Sequence, residues 1–311
     1  MTGPVASWLP DGRRLHLNHG PIDLIVEAYG PDDERRAAYR QAVARFRTIL
    51  EELVAELPAL RSPVDTRPHA FRGSTARRME RAVRPHFPLF VTPMAAVAGS
   101  VADEVLAAMV EGRALDRAYV NNGGDIALHL APGQTIAAAV AGTGNGFADR
   151  LTFGAAHPVR GIATSGWRGR SHSLGIADAV TVLAASAAAA DAAATLIANA
   201  VDLPGHAAID RVPARQLAPD SDLGDRLVTR GVGALSAVEV AAALDNGLCA
   251  AEAMRQRGLI EAAALFLQGE SRLCGGAGFV TERDCGMDAN TAITGRPRSP
   301  QSFIDRIGHH A

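Results

Sequence analysis

The chain is organised around residues 161–195, which read GIATSGWRGRSHSLGIADAVTVLAASAAAADAAAT. It begins with a short apolar run that predicts a strand, and residues 178–183 predict a second strand. Between the two strands lies a polar loop, which contains the cations Arg168 and Arg170 as well as His172. The stretch ends in a run of alanine, the strongest helix former, so we expect a helix directly after the second strand.

Two polar side chains, Asp191 and Thr195, interrupt this alanine helix. Residues four apart lie on the same face of a helix, so the carboxylate and the hydroxyl point in the same direction. Such oxygen ligands suit Mg²⁺, which takes one or two protein carboxylates and fills its other positions with water and substrate phosphates. The alternative interpretation is an alanine-rich core helix on which Asp191 is solvated and Thr195 packs against its neighbours.

The composition excludes several classes of protein. The chain has 311 residues, of which 48% are hydrophobic and 21% charged, as in a globular protein with an ample core. A net charge of −2 argues against a nucleic-acid-binding surface and against a polybasic membrane anchor. We expect neither a transmembrane helix nor a signal peptide, because the sequence lacks a run of about 18 apolar residues and a basic, then apolar, N-terminus. The three cysteines are too scattered for a disulfide framework or a zinc site, so a cytoplasmic location is expected.

The N-terminal part of the chain predicts a hairpin followed by helices. Residues 7–28 alternate in polarity around a turn, which favours a β-hairpin. Apolar residues recur every three or four positions over residues 31–57, which predicts a long helix. Residues 73–74 are expected to begin a short basic helix, and residues 94–110 form a predicted helix of small residues that carries Asp103.

Residues 117–130 read RAYVNNGGDIALHL and predict a second hairpin. Asn122-Gly123 between two apolar strands is a strong signal for a type I′ turn. Such a turn requires neither the second glycine, Gly124, nor the acid that follows it, Asp125. Because paired glycines let a backbone come close to a ligand, we also predict that this turn forms a wall of the site.

Residues beyond the alanine helix predict a mixture of loops, strands and helices. We expect a loop over residues 203–223 and a strand over residues 227–232. A capping box at residues 236–239 predicts a helix that ends near Gly247, with a separate helix after it. Residues 260–268 are apolar and fit either a helix or a strand.

Other chemistries find little support in the motifs. Residues 142–146 read GTGNG, which lacks the spacing of a dinucleotide fingerprint, and the sequence contains no P-loop. Ser165 precedes a polar loop instead of a helix, which argues against a nucleophile elbow paired with His172.

Three stretches, taken in order, resemble the ApbE-like superfamily, whose enzymes are Mg²⁺-dependent flavin transferases that cleave FAD and attach FMN to a Thr or Ser of a target protein. Residues 97–103, VAGSVAD, are similar to the family's Lys-Gly-Tyr-Ala-x-Asp segment, with Ala98 in place of the lysine. Residues 123–126, GGDI, are similar to its Gly-Gly-Asp-Ile segment. Asp191 and Thr195 match its metal-binding Asp-x-x-x-Thr.

The resemblance implies roles for particular residues. Asp191 and Thr195 would hold Mg²⁺, helped by a main-chain carbonyl near Leu106, whereas His172 and Asp178 would position the substrate or remove a proton. The residues that it implies for binding the flavin nucleotide are Asp103, Asn122, Gly123, Gly124, Asp125, Thr164, Ser165, Gly166 and Arg170.

The chain departs from the flavin transferases in two places. The lysine is absent, and so is the Pro-Arg-Thr-Gly that the family carries a few residues after the histidine that corresponds to His172. The wider pattern, which includes TPMAAVAG at residues 92–99, is most similar to the ApbE-like branch called uncharacterised protein family 0280.

This resemblance implies an α+β fold of the T-fold-like ApbE architecture, in which antiparallel sheets pack against helices. We expect one domain over residues 1–295 and a polar tail over residues 296–311. Three functions stay open. The first is a cytoplasmic Mg²⁺-dependent enzyme that acts on FAD or a related phosphate-bearing ligand, and the second is a protein that binds a flavin or another anionic metabolite without chemistry. The third is a homo-oligomeric scaffold with a relict site. The first two take a small molecule as partner, not nucleic acid or a membrane.

Overall fold

The computed structural model describes residues 3–139, 150–169, 171–275, 279–280 and 292–293. In chain order, the strands are β1 (Val5–Trp8), β2 (Leu15–His19), β3 (Ile22–Tyr29), β4 (Arg117–Asn122), β5 (Asp125–Leu130), β6 (Thr135–Ala139), β7 (Arg150–Gly154), β8 (Gly161–Ser165), β9 (Ala179–Ala184), β10 (Ile209–Pro213), β11 (Leu227–Val232), β12 (Ala262–Leu267), β13 (Glu270–Cys274), β14 (Phe279–Val280) and β15 (Ala292–Ile293). The helices are α1 (Asp32–Ala55), α2 (Leu57–Leu60), α3 (Ser74–Val83), α4 (Val97–Val110), α5 (Ala187–Ala200), α6 (Ala214–Leu217) and α7 (Ala237–Gln256), with short 3-10 helices at Arg84–His86 and Pro93–Ala96.

Nine of the strands form one sheet in the order β1-β2-β3-β4-β5-β8-β9-β12-β13. Every neighbouring pair in this sheet is antiparallel. A second sheet has the order β14-β7-β6-β15, and β10 pairs with β11 apart from both. This mixture of helices and antiparallel sheets confirms the predicted α+β class.

The nine-stranded sheet separates two layers of the molecule. Side chains alternate between the faces of a strand, so on β4 Val120 faces a core shared with α1 and α4, whereas Tyr119 faces the opposite side. On that opposite side, Ile136 of β6 and Phe153 of β7 complete a core between the two sheets. A further core lies beneath α5 and α7 and contains the inward residues of β9 and β12, such as Val182. The helices therefore cover one face of the large sheet, and the second sheet covers part of the other.

Packing extends α7 beyond the end that the sequence predicts. The helix begins with the expected capping box, in which Ser236 and Glu239 exchange hydrogen bonds. It then continues through Gly247 to Gln256 instead of ending and starting again. A Cβ atom at Gly247 would lie only 2.3 Å from Cγ2 of Val201. Glycine thus permits close contact between α7 and the residue that follows α5, which compensates for its helix propensity, about 1 kcal/mol below that of alanine.

Several predicted boundaries also change. The long helix predicted over residues 31–57 is α1, and the apolar run at 260–268 forms strand β12. The loop expected at 203–223 contains β10 and α6. The predicted loop at 142–146 and the predicted tail at 296–311 lie outside the described residues, and the single domain over residues 1–295 stays a prediction.

Among the described residues, Pro93–Val110 is long and apolar enough to cross a membrane, judged by length and composition alone. This segment is the helical turn before α4 together with α4 itself, and 56% of it is buried inside the protein. It packs against α1 and α5, as the core helix of a folded domain does.

Candidate functional site

The candidate site forms where the N-terminal turns of α4 and α5 meet. Gly99 in the first turn of α4 touches the start of α5 so closely that a Cβ atom there would lie 2.2 Å from the carbonyl oxygen of Ala187. Any side chain larger than hydrogen would therefore push the two helices apart. Helix N-termini carry unpaired N–H groups and a partial positive charge, so this contact brings two such ends together.

Two aspartates, one on each helix, accept hydrogen bonds from the unpaired N–H groups at the start of the other helix. Asp103 of α4 accepts hydrogen bonds from the backbone N–H groups of Ala187 and Ala188, at 3.1 and 2.9 Å, in the first turn of α5. Asp191 of α5 accepts in return from the N–H groups of Gly99, at 2.9 Å, and of Ala98 in the first turn of α4. Each carboxylate does from another helix what an N-cap side chain does locally. The α4 helix has no side-chain cap of its own, so Asp191 replaces it.

The β4–β5 turn lies against the same helix end. Asn122, the last residue of β4, is buried and donates from Nδ2 to the carbonyl oxygen of Ala98, at 3.0 Å. The turn is one residue later than the sequence suggests: Asn122 pairs with Asp125, so the two loop residues are Gly123 and Gly124. Their φ angles, 66° and 120°, lie in the region that glycine alone adopts readily. The doubled glycine is thus needed by the turn itself, whereas the sequence interpretation assigned only the first glycine to it.

Asp125 connects this turn to the stretch around which the sequence is organised. Its Oδ1 accepts from the backbone N–H of Thr164 on β8, at 3.3 Å. Its negative charge also acts on Asp191, which brings the acids of β5 and α5 into one electrostatic site. Side chains alternate between the two faces of β5, so Asp125 points to the same face as Ala127, two residues later, which faces the helix layer.

The electrostatics of the site centre on Asp191. Burial raises the pKa of this carboxyl well above its usual value of 3.8, and the charge of Asp125 raises it further. The N–H groups of Gly99 and Ala98 oppose this shift but do not reverse it. Burial likewise raises the pKa of Asp103, against the N–H groups of Ala188 and Ala187. Two carboxylates that repel each other in a half-buried site form a place where a cation would be stabilised.

Thr164 does not direct its side chain into this site. Thr164 lies two residues after Ile162 on β8, so both side chains point to the same face, towards the core between the two sheets. The Thr164 hydroxyl lies 2.9 Å from that of Thr181 on β9. Only the backbone of Thr164 reaches Asp125. The side chain of Ser165, the next residue on β8, points to the opposite face of the sheet, towards the helix layer.

Asp178 holds the polar loop in place. Its Oδ1 accepts from the indole N–H of Trp167, at 3.2 Å, and from Nε of Arg168, at 2.7 Å. Its Oδ2 accepts from the backbone N–H of Gln268, at 2.7 Å. Gly166 allows the close approach, because a Cβ atom there would lie 2.5 Å from the carbonyl oxygen of Asp178. The exposed Arg168 forms an ion pair with this carboxylate. These contacts give Asp178 a structural role, which is to fix the polar loop against the residue after β12.

His172 lies in a segment that is fastened to the far end of α5. The residues after it, Ser173 and Leu174, hydrogen-bond to Oδ1 of Asn199, one turn beyond Thr195. The His172 ring is partly buried and has no hydrogen-bond partner within the described part of the chain. Arg170 lies outside the described residues.

The predicted metal ligands do not all share one location. Asp191 and Thr195 lie one turn apart on α5, as expected. Leu106, however, lies seven residues after Gly99 on α4, which is about 10 Å along the helix axis. Because ligands of one Mg²⁺ ion are about 2 Å from it, a carbonyl at Leu106 cannot reach an ion held by Asp191. We therefore leave Leu106 out of the proposed site.

The sequence interpretation already predicts that the 121–125 turn and the 191–195 face of α5 border one site. It lacks one feature of that site, the N–H groups of Ala98 and Gly99 from which Asp191 accepts hydrogen bonds. The small residues of α4 and α5 signal close packing but not which turns meet. Two cavities of about 500 and 340 Å³ lie elsewhere, and none of the predicted site residues lines either of them.

One protein-family model matches most of the chain. The family model described as AbpE bacteria matches residues 6–273, from the second residue of β1 to β13. The chain belongs to this family.

Relatives carry the name "UPF0280 protein". That of Methanothrix thermoacetophila is 38% identical over 174 residues, which are 52% of this chain and 68% of the relative. That of Methanopyrus kandleri is 35% identical over 57% of this chain and 69% of its own length, and that of Methanococcoides burtonii is 30% identical over 60% and 78%. These matches confirm the resemblance to the branch called uncharacterised protein family 0280.

Solved structures with some likeness include the flavinyl transferase ApbE of Pseudomonas stutzeri in its apo form. It is 12% identical, covers 87% of this chain and 93% of its own, and superposes with a TM-score of 0.39. The flavin transferase ApbE of Vibrio cholerae is 13% identical, with 89% and 98% covered and a TM-score of 0.35. Overlap at this level is loose, so the family assignment rests on the family model and the relatives.

Proposed function

We propose that this chain is a cytoplasmic, Mg²⁺-dependent protein that acts on FAD or a related phosphate-bearing ligand, in the manner of a flavin transferase. The observation that carries the proposal is that two acids border the first turn of α4. Asp191 accepts from the N–H of Gly99, and Asn122, the strand partner of Asp125, donates to the carbonyl oxygen of Ala98. Repulsion between these carboxylates, and their partial removal from water, would be relieved by a bound cation.

The donors fit Mg²⁺ better than other common metals. Both acids offer hard oxygen ligands, and Thr195 adds a hydroxyl one turn further along α5. Within the described residues, no group of three or more His, Cys, Asp or Glu side chains is close enough to hold a metal. So few protein ligands suit Mg²⁺, which keeps several waters and takes phosphate oxygens as further ligands, whereas Zn²⁺ and Ca²⁺ prefer fuller protein cages. When bound, the ion would neutralise charge on the ligand's phosphates.

The chain's own groups would then orient the ligand. Gly123 and Gly124 present a turn without side chains, so the backbone can come close to a nucleotide. Asn122 fixes this turn to the start of α4 through its hydrogen bond to Ala98. FAD is suggested as the ligand by the similarity of residues 97–103 and 123–126 to flavin transferase segments.

A second candidate is a protein that binds the flavin nucleotide without chemistry. The arrangement of Asp178 favours it, because this carboxylate already accepts three hydrogen bonds from Trp167, Arg168 and Gln268. These bonds occupy three of its roughly four acceptor positions and hold both of its oxygens in structural contacts, which disfavours a role as general base. The two candidates share one site and differ only in turnover.

The test is a thermal unfolding measurement on wild type and on Asp191→Asn, with EDTA, with Mg²⁺, with FAD and with both. The amide oxygen of asparagine can still accept from the Gly99 N–H, so the variant loses the charge and keeps the cap. We expect Mg²⁺ together with FAD to stabilise wild type by about 2.7 kcal/mol at a hundredfold excess over Kd, and to leave the variant unchanged.

Asp210→Asn is the matched control. Asp210 forms an exposed ion pair with Arg230 on the β10–β11 pair, which is separate from the sheet that carries Asp125. This variant should keep the response to Mg²⁺ with FAD. An equal response of wild type and Asp191→Asn would contradict the metal site. Chromatography of the incubated FAD separates the candidates, since an enzyme releases FMN or AMP and a binding protein leaves FAD intact.

A further inference from the structure

A groove of about 500 Å³ runs between the edge strand β1 and helix α1, remote from the acids of the candidate site. Its floor is apolar and consists of Ala6 and Trp8 of β1, Leu15 of β2 and the inner side of α1. Trp8 packs edge-on against Tyr39 of α1, with ring centroids 5.0 Å apart, yet 55% of it stays exposed. A large aromatic side chain is thus held in a defined orientation with its outer part open to a partner.

The edge of the sheet beside this groove is open within the described residues. The sheet order ends at β1, and all four of its residues are exposed. Leu9 donates its N–H to the carbonyl oxygen of Arg14, towards β2. Backbone groups alternate in direction along a strand, so the N–H and C=O groups of Ala6 and Trp8 point away from β2. These groups are free to pair with another strand.

Three arginines line the helix side of the groove. Arg36, Arg40 and Arg47 are exposed and occupy one stripe of α1, because they are spaced by four and seven residues. In the part of the chain that the structure describes, none of them forms an ion pair or a hydrogen bond, unlike Arg35 and Arg45 on the same helix. Neighbouring like charges four apart on a helix repel each other. A partner with negative charge would relieve this repulsion.

We propose that the groove binds an acidic, extended peptide segment of a partner protein, which adds a strand to β1. Backbone pairing with Ala6 and Trp8 would give affinity, as in other cases of strand addition. Acidic side chains of the segment would meet the arginine stripe, and an apolar one between them would cover Trp8. The stripe from Arg36 to Arg47 is about 16 Å long, which is the length of about five strand residues.

Charge complementarity selects this partner over a second copy of the chain. Two copies joined edge to edge through β1 would bring two stripes of Arg36, Arg40 and Arg47 onto the same face of one continuous sheet. Their repulsion opposes such a dimer. A nucleic acid strand would satisfy the arginines but could not form the ladder of hydrogen bonds with Ala6 and Trp8.

The test uses a fluorescein-labelled heptapeptide, Thr-Glu-Thr-Val-Thr-Glu-Thr, and fluorescence anisotropy with the full chain. One face of this peptide as a strand carries two acids around a valine. We expect it to bind wild type and to bind more weakly as salt is added. The same peptide with lysine in place of glutamate should not bind.

Two kinds of variant separate strand addition from simple charge attraction. Ala6→Pro removes an outward N–H without touching the bonds to β2, since proline is tolerated on edge strands, and Ala6→Ser is its matched control. We expect Ala6→Pro to raise Kd about tenfold and Ala6→Ser to leave it within about twofold, because only the proline blocks the ladder. The triple variant Arg36→Gln, Arg40→Gln, Arg47→Gln, whose folding is expected to be normal, should also raise Kd about tenfold.

Three outcomes would overturn the proposal. The first is peptide binding that the arginine variant abolishes and Ala6→Pro leaves unchanged, which indicates attraction of any polyanion. The second is equal binding of an oligo-dT strand that depends on the same arginines but not on Ala6. The third is a dimer in sedimentation velocity that Ala6→Pro dissociates, which assigns the edge to a second copy.

Discussion

At the scale of single residues, the partly buried Asp191 has two roles that favour opposite protonation states. It caps α4 through the N–H groups of Gly99 and Ala98, which favours the ionised form. Its burial and the nearby Asp125 favour the protonated form, and they dominate. A carboxylate that is kept ionised at neutral pH in such a place lowers the stability of the protein unless a cation joins it.

Without divalent cations, Asp191→Asn should therefore be more stable than wild type at pH 7.5. Because the pKa of Asp191 is raised in the native state, its favourable contribution is complete below the unfolded-state value of 3.8 and is lost as pH rises through the native value. The difference between variant and wild type should accordingly be small near pH 3.8 and grow as pH increases. Urea unfolding in EDTA across this range measures it. A wild type more stable than the variant at pH 7.5 would contradict the electrostatic assignment.

At the scale of elements, the contact between α4 and α5 depends on Gly99. The first turns of these helices touch through backbone atoms, with carbonyl and amide atoms of Ala187 and Ala188 within 2.8 Å of a Cβ placed at Gly99. The bonds of Asp103 and Asp191 across the contact both require this distance. Separation of the helices would thus break the caps of both at once.

Gly99→Ala should consequently destabilise the protein by about 1–3 kcal/mol, as overpacking of a core does, although alanine is the better helix former. Gly154→Ala is a suitable control, because a Cβ atom at Gly154 would have no atom within 4 Å. Urea midpoints followed by circular dichroism give both values. If the two variants prove equally stable, the close contact between the helices does not exist in solution.

At the scale of the whole molecule, one sheet spans most of the described chain. It begins with β1 at Val5 and ends with β13 at Cys274, and its strands contribute to all three cores. Strand β9, for example, supplies Val182 to the core beneath α5 and Leu183 to the core between the sheets. Loss of one core exposes residues of strands that support the next, so the parts should unfold together.

We expect a single urea transition, reported alike by two probes at distant points of the sheet. The sequence contains two tryptophans, Trp8 at the β1 edge and Trp167 beyond β8. Fluorescence of Trp8→Phe and of Trp167→Phe isolates each signal, and each midpoint should coincide with that of circular dichroism on the same variant. Distinct midpoints would indicate two independently unfolding units instead of the single predicted domain.

Local sequence signals were sufficient for most elements, because they are encoded by neighbours along the chain. The periodicity of α1, the capping box of α7 and the alanine run of α5 each specify a helix through contacts within a few residues. The family resemblance and the α+β class followed from motifs in order, and both are confirmed. Failures occurred where distant contacts prevail, as at Gly247, whose helix continues because Val201 lies against it.

The site divides in the same way. Sequence spacing alone determined that Asp191 and Thr195 share a face of α5, since helix geometry fixes that relation. The tertiary structure was needed to show that Asp191 caps α4 through the N–H of Gly99, 92 positions earlier in the chain. It also decided that the hydroxyl of Thr164 faces Thr181 on the other side of the sheet. The physical reason is that a one-residue step along a strand reverses the face, and the choice of face is made by packing between strands and helices far apart in sequence.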